Sequence, residues 1–237
     1  MRELDKAFSL LKKDINKNIS FINFFNQNKI IFIKVLNQSV IGKGTSDNDW
    51  VYISCSNPDE LQALLSYVKE DLYFAVLEDW MLPIITENKE VEWKLSTRRY
   101  ILPEQIIMDD PSQRFSSLKL QDAEYIYNNS KYKDYLSVEY IKERISKGIH
   151  CGTKENDKLI AWCISQDDGA LGFLTVLPEY RGKGYGMEVL TEAVRKVREN
   201  DAVPFAYIED SNQRATSLCL KLGFEPDRLI HWIKLKK

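Results

Sequence analysis

The sequence has few metal-binding residues and no long run of any one character. Its two histidines, His150 and His231, lie far apart in a chain of 237 residues and lack ligand-like neighbours. Zinc needs three or four converging ligands, so no metal site is expected. The four cysteines, Cys55, Cys151, Cys163 and Cys219, form no Cys-x-x-Cys pair. Glu3 and Asp5 interrupt the N-terminus and no long apolar core follows, so no secretory signal is read there. Reduced thiols in a cytoplasmic protein are the corresponding expectation. The run Ile30-Ile31-Phe32-Ile33 ends at Lys34, far short of the roughly 20 apolar residues of a membrane span. Basic residues come in short pairs such as Lys12-Lys13 and Lys236-Lys237, and net charge is -2. That balance does not fit a chain whose main partner is nucleic acid. Neither a sequence repeat nor a low-complexity tract is evident.

What is present is ordinary globular material, 44% hydrophobic and 29% charged, enough for one large domain or two small ones. Leu4, Phe8, Leu11, Ile15 and Ile19 recur at helical steps and predict one helix over Leu4–Phe25. Ile30–Leu36 and Trp50–Ser54 read as strands, with a glycine-bearing loop over Val40–Asp49 between them. Asn57 and Pro58 start a helix. Leu72–Leu77 reads as a buried strand, Trp80–Ile85 as a short helix and Val91–Leu102 as extended chain. The polar stretch Pro103–Ser117, with Asp109-Asp110 and Pro111, reads as a linker. The expected domains are residues 1–112 and 113–237, both mixing helix and strand in an α/β arrangement.

The second half is more regular. A short strand at Ser117–Leu120 leads to a helix capped by Asp122, and Ser137 caps another. Strands follow at Ile149–Lys154, Leu159–Ser165 and Ala170–Leu177. Then come a loop over Glu179–Gly184 and a helix over Tyr185–Asn200, with Met187, Leu190, Val194 and Val197 on one face. Pro204–Ile208 is a strand, Asn212 caps a helix ended by Gly223, and Leu229–Leu235 is the last strand.

The loop is the most informative feature. Arg181-Gly182-Lys183-Gly184-Tyr185-Gly186 places three glycines where a strand passes into a helix. Glycine lets backbone approach a ligand closely. A helix start offers unpaired amides and partial positive charge, and together these suit a phosphate or pyrophosphate. Lys183 is followed by Gly184 rather than Ser or Thr, so the magnesium-nucleotide loop is excluded. Met187 stands where a dinucleotide fingerprint needs its third glycine.

Arg181-x-x-Gly184-x-Gly186, after a strand ending Leu177-Pro178, resembles the acyl-CoA loop of the GNAT superfamily of N-acyltransferases. The stretch Asn212-Gln213-Arg214-Ala215-Thr216-Ser217-Leu218-Cys219-Leu220-Lys221-Leu222-Gly223-Phe224 resembles that family's next helix. The likeness covers about Ser117–Lys237. Leu177–Arg181, Pro204–Ile208 and Ser211-Asn212 look like the C-terminal region of glycine N-acyltransferase-like proteins, which also carry an N-terminal half. The resemblance implies a GNAT-like second domain with splayed central strands, and a smaller first domain that is a degenerate copy of that fold.

The resemblance also implies the chemistry. A primary amine, of amino-acid type on the narrower likeness, would attack acetyl-CoA or another short acyl-CoA directly, without an acyl-enzyme. The co-substrate would be held by Thr175, Val176, Arg181, Gly182, Lys183, Gly184, Tyr185, Gly186 and Asn212. Candidate bases are Glu209 and Asp210 after one central strand, and Asp167 and Asp168 before the other. Glycine N-acyltransferases carry an acid where this chain has Ala170. Many GNAT enzymes carry a tyrosine four residues before the Leu-Gly-Phe glycine, where this chain has Cys219, a candidate acid or a buried packing residue. Trp162, Phe173, Tyr185, Tyr207 and Trp232 are candidates for an acceptor pocket or for core. Two readings remain: an N-acyltransferase, or an acyl-CoA-binding protein without catalysis. No metal, nucleic acid or membrane partner is expected, and the oligomeric state is open.

Overall fold

The computed structural model describes residues 2–108, 115–133 and 136–237. The fold is a mixed α/β one, in two compact units. One comprises the chain up to Arg99 together with Asp227–Lys237, the other Tyr100–Pro226. The expected boundary after residue 112, like the Asp109-Asp110 pair and Pro111, lies outside the described residues. The part of the expected linker that is described is held down: Arg198 donates to the carbonyls of Ile106 and Pro103.

In the first unit the expected single helix is two, α1 (Glu3–Leu11) and α2 (Ile15–Gln27). A 3-10 turn over Lys12–Asp14 separates them. Asp14 turns its carboxylate back to accept the Lys17 N–H at 2.9 Å, capping α2. Three strands follow: β1 (Lys29–Leu36), β2 (Ser39–Thr45) and β3 (Asp49–Ser54). The expected Val40–Asp49 loop is thus mostly strand. Its glycines serve packing rather than turning. A Cβ on Gly42 would meet the Phe25 ring at 2.8 Å, and one on Gly44 the Phe24 ring at 2.9 Å. Bare backbone lets the aromatic face of α2 lie on the sheet. Helix α3 (Pro58–Leu65) is capped by Asn57 as expected, and β4 (Tyr73–Leu77), α4 (Leu82–Ile85) and β5 (Val91–Ile101) complete the run.

β1, β2 and β3 pair antiparallel, and β3 runs parallel to β4. That parallel pairing reaches Tyr52–Ala75. At the next residue, Val76, φ is 56°, a conformation costly for a β-branched residue. A cavity of about 20 Å³ opens there, lined by Lys17, Tyr52, Val76, Glu78, Arg99 and Arg228, with room for one water.

The second unit contains α5 (Ala123–Asn128), α6 (Val138–Lys147), β6 (His150–Glu155), β7 (Lys158–Ser165) and β8 (Leu171–Val176). Then come α7 (Tyr185–Arg198), β9 (Phe205–Ile208) and α8 (Gln213–Lys221). Strand β10 (Glu225–Leu235) starts here and pairs antiparallel with β4 of the first unit's sheet, into which residues from Asp227 fall. The expected strand at Ser117–Leu120 is reduced to a bridge between Ser116 and Gly152. Asp122 accepts the Lys119 N–H at 2.7 Å instead of capping α5.

Within this unit the strands lie in the order β9-β8-β7-β6, with a helical layer on each face. Ala161, Cys163, Leu171 and Ala206 face Val189 and Ala193 of α7 and Cys219 of α8. Ile160, Trp162 and Ile164 face Ile126 of α5 and Ile141 of α6. This is the period-two alternation of strands buried on both sides.

Arg99 is fully buried in the first unit and donates through Nε and Nη2 to Asp227 at 2.8 and 2.6 Å. Burial pushes the Asp227 carboxyl up. Hydrogen bonds from Arg228 and Arg99 and the Arg99 charge outweigh it and hold the group below its ordinary value. Its contribution to stability is therefore present above the unfolded pKa of about 3.9 and is lost as pH falls through the lower folded value. Arg99→Ala should destabilise the protein by about 3 kcal/mol in urea unfolding. The variant's stability should also fall less steeply than that of the parent between about pH 5 and pH 2.

Candidate functional site

Strands β8 and β9 run parallel but share one register pair, Leu171–Ala206. Beyond it they separate, because β8 is irregular. Trp162 and Ile164 of β7 lie opposite Thr175 and Gly172 of β8. The longer side therefore carries one extra residue, a β-bulge at Phe173-Leu174. Phe173 takes a φ of 48°, which is a steric outlier for an aromatic residue. A bulge leaves peptide groups outside the ladder. Farther along, Leu177 donates to Ile160 O of β7 at 2.9 Å. By strand alternation Thr175 turns its peptide groups toward β7, and Val176 turns them to the side β9 has left. The Thr175 hydroxyl donates to Phe173 O at 3.2 Å. The Val176 peptide groups thus border the β8 side of the gap between the parted strands.

The glycine loop lies at the end of this slot. Gly182 and Gly184 have φ of 76° and 89°, and a Cβ built on either meets nothing within 4 Å. Glycine is thus required by conformation, while the space beside it is open. Gly184 is the residue before α7, with no side-chain cap, and its carbonyl accepts from Met187 and Glu188. The first amides of α7, including those of Tyr185 and Gly186, precede the helical ladder and suit an anion. Arg181 donates through Nε to Val176 O at 3.1 Å, tying the loop to the slot. Lys183 lies over the Tyr180 ring, which meets Tyr185 edge-on. Gly186 packs near Val176 and Leu218. Asn212 caps α8 by accepting the Ala215 N–H at 3.3 Å.

The candidate proton-transfer residues separate into groups. Cys219 is buried in the core under α7, and burial alone pushes its thiol up to about 12. Donating to a thiolate of ordinary basicity would then be uphill by about 4 kcal/mol, so the packing reading of Cys219 is the one its surroundings support. Glu209 and Asp210 follow β9, where the Glu209 carbonyl accepts from Asn212. Tyr132, in the α5–α6 connection, was not singled out by the sequence. Burial, then the Glu209 charge, raises its phenol pKa, against a hydrogen bond with Asn212. Asp168 is buried, and its Oδ1 accepts the Ala170 N–H at 3.1 Å while Oδ2 accepts the Tyr207 hydroxyl at 2.7 Å. Of the candidate pocket aromatics, Trp162 is core, and Trp232 packs within the first unit. Phe173 packs on the α5–α6 side, and Tyr185 packs against the cores of both faces. Among the described residues no cluster of three or more His, Cys, Asp or Glu could hold a metal ion. Among them, too, no helix is long and apolar enough to cross a membrane.

Residues 147–233 match the family model described as FR47-like protein. A sequence comparison with curated proteins gives no match. Among solved structures, a Drosophila protein superimposes with a TM-score of 0.81 at 16% identity, over 98% of this chain and 96% of that one. A GCN5-related N-acetyltransferase from Kribbella flavida gives 0.64 at 10% identity, over 93% and 97%. An acetyltransferase of the GNAT family from Colwellia psychrerythraea gives 0.57 at 14% identity, over 100% and 98%.

The burial of Cys219 has a direct chemical consequence. In native protein at pH 8.5 it should resist iodoacetamide and become alkylated only as the chain unfolds, as followed by peptide mass mapping. Labelling at the rate of a free thiol would place it in an open site.

Proposed function

We propose that this chain, which carries the fold of the GNAT superfamily of N-acyltransferases, moves an acetyl or other short acyl group from acyl-CoA to a primary amine. The observation that carries the reading is the uncapped start of α7 beside the parted strands β8 and β9, with left-handed Gly182 and Gly184 bordering open space. The pyrophosphate of the co-substrate would lie on the amides of Gly182–Gly186. Its thioester arm would lie along β8, pairing with outward peptide groups near Val176. The bulge at Phe173-Leu174 supplies a backbone amide for the oxyanion, a role that needs no particular side chain.

In this reading the second unit is the catalytic domain. The first is a degenerate copy of the same fold. Along the chain each half runs helix, helix, three strands, helix, strand, helix, strand in that order, the last strand of the second half lying in the first unit, and in each half the third strand is parallel to the fourth. The acceptor is a small amine, of amino-acid type on the likeness of Leu177–Arg181 and Pro204–Ile208. Four free cysteines, all buried, fit a reducing cytoplasmic setting. One observation favours a second reading, acyl-CoA binding without turnover. The position where many relatives of this fold place a tyrosine acid holds the buried thiol Cys219.

Two measurements separate these readings. Calorimetry with acetyl-CoA should show binding, and Gly184→Val should abolish it while the melting temperature shifts only modestly. Unchanged affinity in the variant would end the phosphate-loop assignment. Free thiol should then appear from acetyl-CoA in the presence of one or more members of a panel of amines and amino acids. Binding without thiol release from any of them would leave the non-catalytic reading.

A further inference from the structure

We infer that Tyr207 and Asp168 form a proton-accepting dyad for the acceptor amine, with Tyr207 touching the substrate and Asp168 acting through it. The inference rests on the acyltransferase reading above and names the base that reading lacks.

Placement is the first argument. Leu171 and Ala206 are the register pair of β8 and β9, so Tyr207 is the first residue of β9 past the point of separation. Its neighbours Ala206 and Ile208 are buried in the α7–α8 core. Alternation therefore turns Tyr207 to the opposite face, where Phe173 packs beside the bulge. Tyr207 is half-buried, so its phenol borders the inner end of the slot, where the reacting carbonyl would meet the bulge amide.

Local bonding is the second argument. The Tyr207 hydroxyl donates to Asp168 Oδ2 at 2.7 Å. Asp168 is 2% exposed and is fixed from the other side by the Ala170 N–H on Oδ1. Ala170 is the position where an acid would be expected by family likeness. The carboxylate stands two residues earlier and reaches the slot through a phenol. Tyr140 of α6 secures the same turn, its hydroxyl accepting the Asp167 N–H at 3.3 Å. Arg144 of α6 donates to Gln166 O.

Charged and titratable groups near the dyad come from several described elements. Asp167 shares its turn. Tyr140, Glu143 and Arg144 come from α6, with Glu143 paired to Arg144 and Lys147. Glu209 follows β9, with Tyr132 of the α5–α6 connection beside it. Strand β8 contributes none.

The proton inventory closes. At neutral pH an alkylamine arrives as ammonium, with a pKa near 10. One N–H proton passes to the Tyr207 oxygen as the phenolic proton passes to Asp168. The freed lone pair forms the C–N bond to the thioester carbonyl, and the C–S bond breaks with its electrons on sulfur. The cationic nitrogen of the new amide protonates the thiolate, and Asp168 returns its proton to water through Tyr207. The sum is amide, free thiol and one released proton.

The test uses the full chain with acetyl-CoA and the best amine found in the thiol-release panel. Tyr207→Phe removes the relay oxygen. Asp168→Asn keeps an oxygen for the Ala170 N–H but loses the acceptor for the phenol. Each should lower kcat on the order of 100-fold at pH 7, with acetyl-CoA affinity and melting temperature near those of the parent. The deficit should shrink toward pH 9.5, where more amine arrives neutral; a packing defect would give a loss independent of pH. Asp168→Glu should recover part of the rate. Parental turnover in Tyr207→Phe, or an equal loss at every pH, overturns the dyad and leaves the acyltransferase reading intact. A parent chain that binds acetyl-CoA but releases no thiol overturns both.

Discussion

The left-handed turn of Phe173 is the constraint on which the rest of the second unit depends. Two parallel strands with continuous pairing leave no room between them for a ligand. A non-glycine residue at a φ of 48° costs about 1–3 kcal/mol, and the surroundings must offset it. Here both faces of β7 and β8 are covered, by α7 on one side and by α5 and α6 on the other. Each fully buried aliphatic side chain contributes about 1.5–3 kcal/mol, so a handful of them outweighs the strain. The bulge parts β8 from β9 and aims Val176 outward. Arg181 then reads that new edge by bonding Val176 O. The loop is tied to the slot through the same irregularity that creates it.

Charge has a smaller part at the loop than the sequence suggests. Arg181, Gly182, Lys183 and Gly184 are all exposed, and a surface charge pair is worth at most about 1 kcal/mol. In the proposed function the stronger anchoring for an anion would come from several converging amides and the helix dipole, which need no side-chain ordering. This explains why glycines dominate the motif. Two of them are required by backbone conformation, and the third, Gly186, lies against Val176 and Leu218 where a larger side chain would narrow the approach.

The legible part of the site is the part encoded by consecutive residues. The strand, loop and helix from Leu171 to Arg198 occupy the order their glycines and apolar period imply, and Asn212 is the cap its position suggests. What was not legible depends on register. Asp168 and Tyr207 are 39 residues apart, and their contact exists because Leu171 lies beside Ala206. No local pattern announces that pairing. Gly42 and Gly44 misled in the opposite direction. Their glycines resemble a loop, yet they are strand positions cleared for Phe25 and Phe24. The break at Lys12–Asp14 hides inside an apolar period that continues across it, with Ile15 half-exposed at 49%.

The first unit shows why the shared element order does not bring a shared site. Its strand-to-helix passage at the corresponding point is Ser54-Cys55-Ser56-Asn57-Pro58, with no glycine. Asn57 Oδ1 already accepts the N–H groups of Asp59 and Glu60. The amides that an anion would use are consumed internally, and the first turn of α3 carries two carboxylates that would repel it. At α7 the corresponding cap is Gly184, which has no side chain to offer. A single residue type thus divides the two helix starts: asparagine closes one on itself, and glycine leaves the other for a ligand. The first unit keeps the parting of its parallel strands at Val76, but what opens there is a water-sized cavity lined by the paired charges of Lys17, Glu78 and Arg228. At about 20 Å³ that cavity has the size of one water, too small for a thioester arm. In the proposed function the anion site therefore belongs to the unit whose helix start has no side-chain cap.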